Sequence, residues 1–352
     1  MTQTKIAVVG AGMMGTALCW PLADNRHAVH LAGTPLDREI IASIQANGTH
    51  PKLERQLPDG ITAYQDHDLA AALEDAALIV SGVSSFGVNW FAETVGPHLR
   101  PDVPVIAVTK GLEDAPNGDL TILPAATNQR LPDNLKDHIS LNAIAGPCIA
   151  NELAARRQTC VVFCGQEQAA IDLLKETFTT DYYHVWTSLD VVGVEVCAAL
   201  KNAYAMGVGL AVGMMETVGS DRLANMYNPQ AALFAQGCLE IQRMVELLGG
   251  KNDNLFYLPA PGDLYVTVFG GRTVRLGKLL GKGLSFAEAR EIMAGDTLES
   301  VEIITRVGRA LPKLEARGLV DPGGFPLMKH LDQIINHGAK VDIPWEAFYF
   351  SI

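Results

Sequence analysis

KIAVVGAGMMGTAL, residues 5–18, sets a short β-branched run directly before the glycine pattern G-x-G-x-x-G and a helix-like segment. The order strand, turn, helix predicts the first unit of a doubly wound α/β sheet. In such a turn the glycines allow a tight bend and close helix packing, and backbone amides at the helix start can bind a pyrophosphate. The pattern alone is weak support, but its place at a strand end favours dinucleotide binding over a structural turn. The residues predicted to contact the dinucleotide here are Gly10, Gly12, Met13, Met14 and Gly15.

The choice between NAD and NADP depends on the residues after the second strand, HLAGTPLDR at positions 30–38. NAD sites usually carry an acid at this strand end for the ribose hydroxyls, whereas NADP sites need room and a cation. Thr34 occupies the region and Arg38 follows it, which favours NADP. Asp37 suits NAD instead, and either charged residue is equally typical of a solvated helix start. We therefore predict NADP or NAD, with a slight preference for NADP.

The length and charge of the chain limit its architecture and partners. A chain of 352 residues suits two domains better than one core. The formal net charge of -12 argues against nucleic acid and anionic membrane surfaces as partners. An anionic small-molecule substrate must then meet local basic groups. The most apolar stretch, residues 203–215, is shorter than the about 20 residues of a membrane span, so we expect a buried helix and no integral membrane association.

The cysteines and the N-terminal sequence indicate a reducing compartment. None of the six cysteines belongs to a C-x-x-C pair, and most lie in apolar runs, which favours buried thiols over disulfides or a metal site. The start, MTQTKIAVVG, lacks the basic and apolar regions of a signal peptide. We expect a cytoplasmic protein without a bound metal.

Hydrophobic periodicity divides the chain into an α/β part and a helical part. Short β-branched runs that alternate with helix-like segments predict a Rossmann-type, doubly wound parallel sheet with helices on both faces. These runs are 6–9, 28–31, 78–80, 105–108, 141–145 and 161–163. Between the second and third runs, HP at 50–51 and LPDG at 57–60 indicate a surface excursion.

Helical spacing dominates after about residue 190, in the segments 191–213, 231–248, 286–293 and 298–311. The predicted fold is thus α/β, with an N-terminal Rossmann-type sheet and a C-terminal all-α domain. We place a dinucleotide-binding domain at residues 1–189 and a helical substrate domain at residues 190–352.

Two further strand ends carry candidate site residues. Lys110 closely follows the run 105–108, and ligands collect beyond the carboxyl ends of parallel strands, so Lys110 is predicted to point toward the cofactor. An exposed loop lysine is an equal alternative. Another strand ends in GPCIA at 146–150, whose glycine and proline suit a rigid turn at the same edge. A purely structural turn explains that segment equally well.

Lys201 and Asn202 stand out in the otherwise apolar CAALKNAYAM, residues 197–206. An unpaired ammonium would be costly in such a helix, so a partner or a function is expected. Desolvation can lower the pKa of a buried lysine toward neutrality, which suits proton exchange with a substrate hydroxyl. We favour function over a snorkelling lysine, since Glu195 on the same helix could complete a polar cluster.

A Pro/Gly-rich turn further along, PAPGDL at 259–264, carries Asp263, and Thr267 and Arg272 follow it. In one interpretation Asp263 pairs with Lys201, while Thr267, Arg272 and the glycine pair at 270–271 grip a phosphate. In the other, a capped helix start is followed by an unrelated surface arginine. The residues alone leave both interpretations open.

Taken together, these segments resemble the NAD(P)-dependent glycerol-3-phosphate dehydrogenase family, from the N-terminus to about residue 310. The segments that carry the resemblance are GAGMMGTAL, TKGLE, GPCIANELA, ALKNAYA, APGDL and GGRTVRLG. Their order and spacing are far more specific than any single motif. The surroundings of GTPLDREI look more like the archaeal branch of the family than the common bacterial one.

The resemblance implies roles for individual residues. Lys201 would be the general acid/base, and the other members of its catalytic group would be Asp263, Asn202 and Lys110. Besides the glycine turn, the implied cofactor contacts are Thr34, Arg38, Lys110, Ala150, Arg272 and Glu299. The implied substrate contacts are Lys110, Gly146, Cys148, Lys201, Asp263, Thr267, Arg272 and Thr273. The family also implies a homodimer formed through the helical domain.

Three positions depart from the family pattern, and all lie on the substrate side. Cys148 replaces the usual serine, Thr273 replaces the asparagine after the arginine, and Gln230 replaces a basic residue. The glycines and the lysines match the pattern. The resemblance therefore implies reversible hydride transfer between NAD(P)H and a small phosphorylated ketone, with glycerone phosphate and sn-glycerol 3-phosphate as the first candidate pair.

Two alternatives stay open at this point. A dehydrogenase of the same fold could act on another small polyol or hydroxy compound that carries a phosphate, sulfonate or carboxylate. An NAD(P)-sensing protein would keep the cofactor crevice without turnover. The two lysines together with Asp263 argue against a sensor, because sensing requires no proton relay.

Overall fold

The computed structural model describes residues 4–217 and 227–348, which form two compact units. One unit contains the chain up to Lys110 and again Leu123–Val191. The other contains Gly111–Ile122 and the chain from Val192 onward. These units differ from the limits expected from the sequence, 1–189 and 190–352, mainly by the insert Gly111–Ile122.

Most of the β structure lies in the first unit. The strands of the described residues are β1 (Lys5–Val9), β2 (Ala28–Ala32), β3 (Thr49–His50), β4 (Arg55–Gln56), β5 (Ile61–Tyr64), β6 (Leu78–Ser81), β7 (Val105–Ala107), β8 (Leu112–Asp114), β9 (Leu120–Ile122), β10 (Leu141–Ala145), β11 (Thr159–Cys164) and β12 (Tyr183–Ser188).

The longest helices of the described residues lie in the second unit. The α-helices of the described residues are α1 (Met13–Ala17), α2 (Cys19–Asp24), α3 (Arg38–Asn47), α4 (Leu69–Leu73), α5 (Val88–Trp90), α6 (Leu123–Arg130), α7 (Ala150–Ala154), α8 (Gln168–Phe178), α9 (Val191–Thr217), α10 (Tyr227–Leu247), α11 (Asp263–Val268), α12 (Arg272–Gly281), α13 (Phe286–Ile292), α14 (Glu299–Ala316) and α15 (Pro326–His337).

An eight-stranded sheet organises the first unit, in the order β12-β11-β10-β7-β6-β1-β2-β5. Strand β1 pairs in parallel with β2 on one side and with β6 on the other. The strand order therefore reverses beside β1, and ligands of doubly wound sheets bind at the carboxyl ends of the strands at such a point. The glycine turn that follows β1 lies at this position.

The six predicted strand runs correspond to β1, β2, β6, β7, β10 and β11, and the predicted fold class is confirmed. The prediction of a parallel sheet was wrong in one respect, because β11 runs antiparallel to β10. The chain reverses through α7, which packs on α1, and so β11 enters the sheet from the opposite end. The edge strands β5 and β12 were not predicted.

Apolar side chains cover both faces of this sheet. Along β1, Ile6 and Val8 belong to one hydrophobic cluster, and Ala7 and Val9 belong to the cluster on the other face. Successive side chains of a strand point to opposite faces, so a strand covered on both sides has a continuous hydrophobic sequence.

The excursion between β2 and β6 is only partly on the surface. It contains the hairpin β3–β4, in which Thr49 pairs with Gln56. His50 is 0% exposed and Leu53 is 4% exposed. The expectation of a surface segment was therefore wrong at these two residues, because their side chains turn toward the core.

Helix α9 forms the centre of the second unit. Among the described residues it is the one helix whose length and composition would allow it to cross a membrane, but 94% of its most apolar window is buried inside the protein. Leu200, Tyr204 and Leu210 are fully buried in the core of the unit. We conclude that α9 is a core helix, as the sequence predicted for residues 203–215.

Glycines allow α9 and α12 to pack with their backbones in contact. A Cβ atom at Gly213 would lie 2.1 Å from the carbonyl oxygen of Lys278, and a Cβ at Gly281 would lie 2.1 Å from that of Leu210. This packing fixes the start of α12, which carries Arg272, relative to Lys201 on α9.

Candidate active site

The first and third glycines of the turn are required by the protein's own packing. Gly10 has φ +106, and its N–H donates to the Ala32 carbonyl at 2.8 Å. A Cβ at Gly10 would lie 2.8 Å from the carbonyl carbon of Gly82, and a Cβ at Gly15 would lie 2.4 Å from the oxygen of Gly10. Any other residue at either position would displace the backbone.

Gly12 differs, because nothing in the described protein requires it. It has φ -64 and ψ 167, an extended conformation open to other residues, and a Cβ there would meet no atom within 4 Å. A glycine in this setting keeps space clear for something outside the chain, and a pyrophosphate approaching the backbone needs such space. The turn therefore fits a dinucleotide.

The carboxylate of Asp37 is held inside the first unit. Its Oδ2 accepts hydrogen bonds from the N–H of Ala11 at 3.1 Å and from the N–H and Oγ1 of Thr34 at 2.9 and 2.7 Å. The residue is only 9% exposed. One oxygen of the carboxylate thus connects the glycine turn to the loop after β2.

Arg38 lies on the surface beside this loop. Its guanidinium donates two hydrogen bonds to Asp66, at 3.0 and 2.7 Å. Hydrogen bonds from Arg38 hold the pKa of Asp66 below its usual value. The cation predicted for an NADP site is thus ion-paired with an acidic side chain on the surface.

Two other predicted residues of the first unit lie near the helix that follows the turn, and two more lie at neighbouring strand ends. Cys148 Sγ lies 3.9 Å from Met14 Sδ, and Ala150 begins α7, which packs on α1. Gly146 has φ +116 in the turn after β10. Lys110 is half-buried and follows Thr109, whose hydroxyl donates to the Val83 carbonyl at 2.7 Å.

In the second unit, Lys201 forms a buried ion pair with Asp263. The Lys201 Nζ lies 2.5 Å from Asp263 Oδ1 and donates to Thr267 Oγ1 at 2.9 Å. Lys201 is 8% exposed and Asp263 is 1% exposed. The sequence left two interpretations open, and the structure agrees with the one in which Asp263 pairs with Lys201. Burial between two oxygen partners holds the ammonium in one orientation.

Local backbone structure explains how Asp263 and Thr267 reach the same ammonium. Asp263 is the first residue of α11 and Thr267 lies one turn later, where residues i and i+4 share a helix face. The Thr267 hydroxyl donates to the Asp263 carbonyl at 2.6 Å, which leaves its oxygen as an acceptor for Lys201. In this structure Thr267 thus belongs to the lysine's surroundings.

Four more predicted residues lie in the second unit. Asn202 Nδ2 donates to Glu299 Oε2 at 3.4 Å, so a predicted catalytic residue meets a predicted cofactor contact. Arg272 is the exposed first residue of α12, and Thr273 after it is half-buried. Gly271, with φ +89, caps this helix.

Sequence reasoning missed two residues that shape the site. His50 was assigned to a surface excursion, yet its Nε2 lies 3.0 Å from the Ala11 carbonyl oxygen. Asp37 was considered only as a ribose ligand or a helix start. Both contacts join the glycine turn to residues more than 25 positions away, and no local pattern signals them.

Two family models match nearly the whole chain. A model for the N-terminal part of NAD-dependent glycerol-3-phosphate dehydrogenase matches residues 5–171, and one for the C-terminal part matches residues 190–346. The chain belongs to the NAD-dependent glycerol-3-phosphate dehydrogenase family. The resemblance drawn from the sequence motifs is thereby confirmed.

Relatives in the family include both cofactor types. The NADP(+)-dependent glycerol-3-phosphate dehydrogenase of Archaeoglobus fulgidus is 37% identical over 286 residues, which are 81% of this chain and 82% of the relative. The glycerol-3-phosphate dehydrogenase [NAD(P)+] of Bacillus pumilus is 31% identical and covers 96% of this chain and 92% of its own.

A solved structure of the family has the same fold over nearly its full length. The glycerol-3-phosphate dehydrogenase of Coxiella burnetii superimposes with a TM-score of 0.80 at 26% identity, covering 98% of this chain and 97% of that one. The glycerol-3-phosphate dehydrogenase of Saccharomyces cerevisiae, 23% identical, shares the fold with a TM-score of 0.76 and covers 96% of this chain and 97% of its own.

Proposed function

We propose that the protein is an NAD(P)-dependent glycerol-3-phosphate dehydrogenase that interconverts glycerone phosphate and sn-glycerol 3-phosphate. The observation that carries the proposal is the buried Lys201 ammonium held between Asp263 and Thr267 in a member of this family. A buried, oriented ammonium is suited to transferring a proton to a carbonyl oxygen.

In the proposed reaction, the nicotinamide supplies a hydride to the carbonyl carbon of the ketone when it is bound. Lys201 Nζ gives its proton to the carbonyl oxygen, so that the ketone gains a hydride and a proton and becomes the alcohol. Asp263 stabilises the ammonium before transfer and orients the neutral amine afterwards. In the oxidative direction the neutral Lys201 accepts the hydroxyl proton.

The remaining site residues are assigned on the family pattern. Asn202 and Lys110 complete the catalytic group. Arg272 and Thr273 are assigned to the substrate phosphate, since a guanidinium matches phosphate oxygens in a bidentate manner. Thr267, whose hydroxyl donates to Asp263 and accepts from Lys201, is assigned to the substrate beside the lysine. The other assigned contacts are Gly146 and Cys148 for the substrate, and Gly10, Gly12, Met13, Met14, Gly15, Thr34, Arg38, Lys110, Ala150, Arg272 and Glu299 for the cofactor.

We assign a preference for NADP over NAD. The internal hydrogen bonds of Asp37 support it, since three donors of the chain already occupy Oδ2 of this carboxylate. The surface cation Arg38 near Thr34 supports it as well. The ratio of kcat/KM for NADPH and NADH with glycerone phosphate tests the assignment, and a ratio below one contradicts it.

Lys201→Ala is the direct test of the mechanism. We expect turnover to fall at least a hundredfold, because one general acid typically contributes 10²–10⁴ in rate, while NADPH affinity changes less than twofold. Steady-state rates and NADPH fluorescence titration measure the two effects. Normal turnover by a folded variant excludes Lys201 as the acid. Lys282→Ala, which removes an exposed lysine ion-paired with Glu216, is the control.

A second candidate keeps the fold and proton chemistry and changes the substrate. It is favoured by Cys148, Thr273 and Gln230, which depart from the family pattern on the substrate side. A panel of small ketones and alcohols with phosphate, sulfonate or carboxylate groups, each assayed with both cofactors, separates the two. Strong preference for glycerol 3-phosphate ends the alternative, and NADPH binding without any turnover would instead indicate a sensor.

We also infer a cytoplasmic homodimer. All six cysteines are free thiols, which supports a reducing compartment. The dimer through the helical domain is an inference from the family. Light scattering on the purified protein tests it, and a monomeric mass at assay concentration contradicts it.

A further inference from the structure

Both backbone polar groups of one residue in the glycine turn, Ala11, are bound by side chains from outside the turn. The N–H of Ala11 donates to Asp37 Oδ2 at 3.1 Å, and the Ala11 carbonyl oxygen lies 3.0 Å from His50 Nε2. His50 is 0% exposed and Asp37 is 9% exposed. Ala11 is thus held in place by two side chains that are distant in sequence, without any contact with a ligand.

The surroundings of His50 determine its tautomer. Its Nδ1 faces two backbone donors, the N–H of Lys52 at 3.2 Å and the N–H of Leu53 at 3.1 Å. Nδ1 must therefore accept, so that the proton of the neutral ring sits on Nε2 and is donated to Ala11. Burial lowers the pKa of His50, which keeps the ring neutral. The charged groups acting on it are Lys52 and Asp37.

Holding the Ala11 carbonyl also orients the next amide. A trans peptide is planar, and its C=O and N–H point in opposite directions. The hydrogen bond from His50 therefore fixes the N–H of Gly12 so that it points away from the ring. Gly12 is the residue at which a Cβ would meet no protein atom within 4 Å.

We propose that His50 is a positioning residue for the cofactor, which holds the Ala11–Gly12 peptide so that the Gly12 amide faces the pyrophosphate. The inference rests on the proposed function of the glycine turn. His50 itself touches neither the cofactor nor the reacting atoms. Its contribution is to remove, before binding, the freedom of a peptide plane that binding would otherwise have to order.

Two substitutions separate the contacts of His50. In His50→Asn the side-chain oxygen occupies the place of Nδ1 and still accepts from Lys52 and Leu53, but nothing reaches Ala11. In His50→Gln the side-chain amide nitrogen is separated from Cα by the same number of bonds as Nε2 of the histidine, so it can still donate to Ala11. His50→Asn thus removes the contact with the turn, whereas His50→Gln retains it.

We expect NADPH to bind His50→Asn about three- to tenfold more weakly, the range that loss of one neutral hydrogen bond produces. His50→Gln should stay within about twofold of the wild type. The KM for the ketone and kcat at saturating NADPH should be unchanged in both. Fluorescence titration of NADPH measures the affinity without turnover, and thermal melting checks that both variants are folded.

The matched control is His27→Gln. His27 is also buried in the first unit, with a pKa lowered by burial, but it lies immediately before β2, at the end of the strand away from the turn. It should lose thermal stability without losing NADPH affinity. Equal loss in His27→Gln and His50→Asn would overturn the inference, as would wild-type affinity in a folded His50→Asn.

His50→Gln keeps the inference testable even when His50→Asn does not fold. Because its side chain can still donate to Ala11, a folded His50→Gln that binds NADPH more than tenfold more weakly than the wild type would overturn the positioning role. A wild-type protein that binds no NADPH at pH 7.5 would refute the proposed function instead.

Discussion

A single side-chain atom has different consequences at the three glycines of the turn. At Gly10 and Gly15 an added Cβ would collide with backbone atoms of the first unit, at 2.8 and 2.4 Å. At Gly12 it would meet open space. Two of the glycines are therefore required by the fold, and the third is predicted to leave room for the ligand.

Gly12→Ala should separate stability from binding. We expect the free energy of unfolding of Gly12→Ala to stay within about 0.5 kcal/mol of the wild-type value. Any change should be an increase, since alanine reduces the conformational freedom of the unfolded chain. NADPH affinity should fall at least tenfold, because the methyl group occupies the space of the pyrophosphate. Chemical denaturation and fluorescence titration measure the two quantities.

Gly15→Ala is the contrasting variant. We expect it to lose at least about 1 to 3 kcal/mol of stability, because its Cβ would be forced against the backbone oxygen of Gly10. An NADPH affinity of Gly12→Ala equal to that of the wild type would show that no ligand approaches this residue.

Among individual residues, the sequence predicted those whose chemistry is conspicuous in its surroundings. Lys201 is a charge in an apolar helix, and such a charge must have a partner. Asp263 was a candidate because it is an acid in a turn. His50 and Asp37 gave no such signal, because their contacts with Ala11 bridge 39 and 26 positions. Those distances in sequence become short only after the sheet has formed.

At the level of elements, the strands buried on both faces were predicted because their residues are continuously hydrophobic. The edge strand β12 was missed because its residues Tyr183–Ser188 are only partly buried and lack the continuous hydrophobic run of the central strands. The direction of β11 could not be predicted either. Local sequence specifies that a strand forms, whereas its direction depends on the path of the connection through α7.

The crossing of α9 and α12 makes a strong prediction for Gly213→Ala. Its Cβ would lie 2.1 Å from the carbonyl oxygen of Lys278, a backbone atom that cannot move alone. We expect a destabilisation of about 1 to 3 kcal/mol, as for other overpacked contacts. Thermal and chemical denaturation measure it.

Gly207→Ala on the same helix is the control with the opposite sign. Its Cβ would lie at an ordinary 3.5 Å from Leu327 Cδ1, so the better helix propensity of alanine should add up to about 1 kcal/mol. Equal effects of the two substitutions would show that the helix crossing is not the cause.

At the scale of the whole molecule, one buried carboxylate makes stability depend on pH. Glu240 is 0% exposed and accepts hydrogen bonds from Tyr204, Gln236, and the N–H groups of Leu327 and Met328 at the start of α15. Burial raises the pKa of Glu240 to about 7, against the partial compensation of these donors. The native state thus binds a proton more tightly than the unfolded chain.

The sign of the effect follows from linkage. A raised carboxyl pKa contributes stability that is complete below the unfolded value near 4.5 and is lost as the pH rises through about 7. Between pH 5.5 and 8.5 the melting temperature of the wild type should fall more than that of Glu240→Gln, which cannot ionise. Differential scanning fluorimetry at these two pH values measures the difference.

The control for this prediction is Glu246→Gln. Glu246 is an exposed acid on the same helix, and hydrogen bonds from Gln242 and Asn252 lower its pKa, so it stays ionised across the whole range. It should leave the pH dependence of the wild type intact. A Glu240→Gln protein with the same pH dependence as Glu246→Gln would contradict the prediction.

The insert Gly111–Ile122 has a further consequence for how the protein is made. Leu112 and Leu120 on its two strands belong to the core of the second unit, although they precede the last part of the first unit in the chain. A ribosome therefore releases a piece of the helical core before most of that core exists. A gene cut at codon 190 would thus leave Leu112 and Leu120 in the N-terminal product, apart from the core to which they belong.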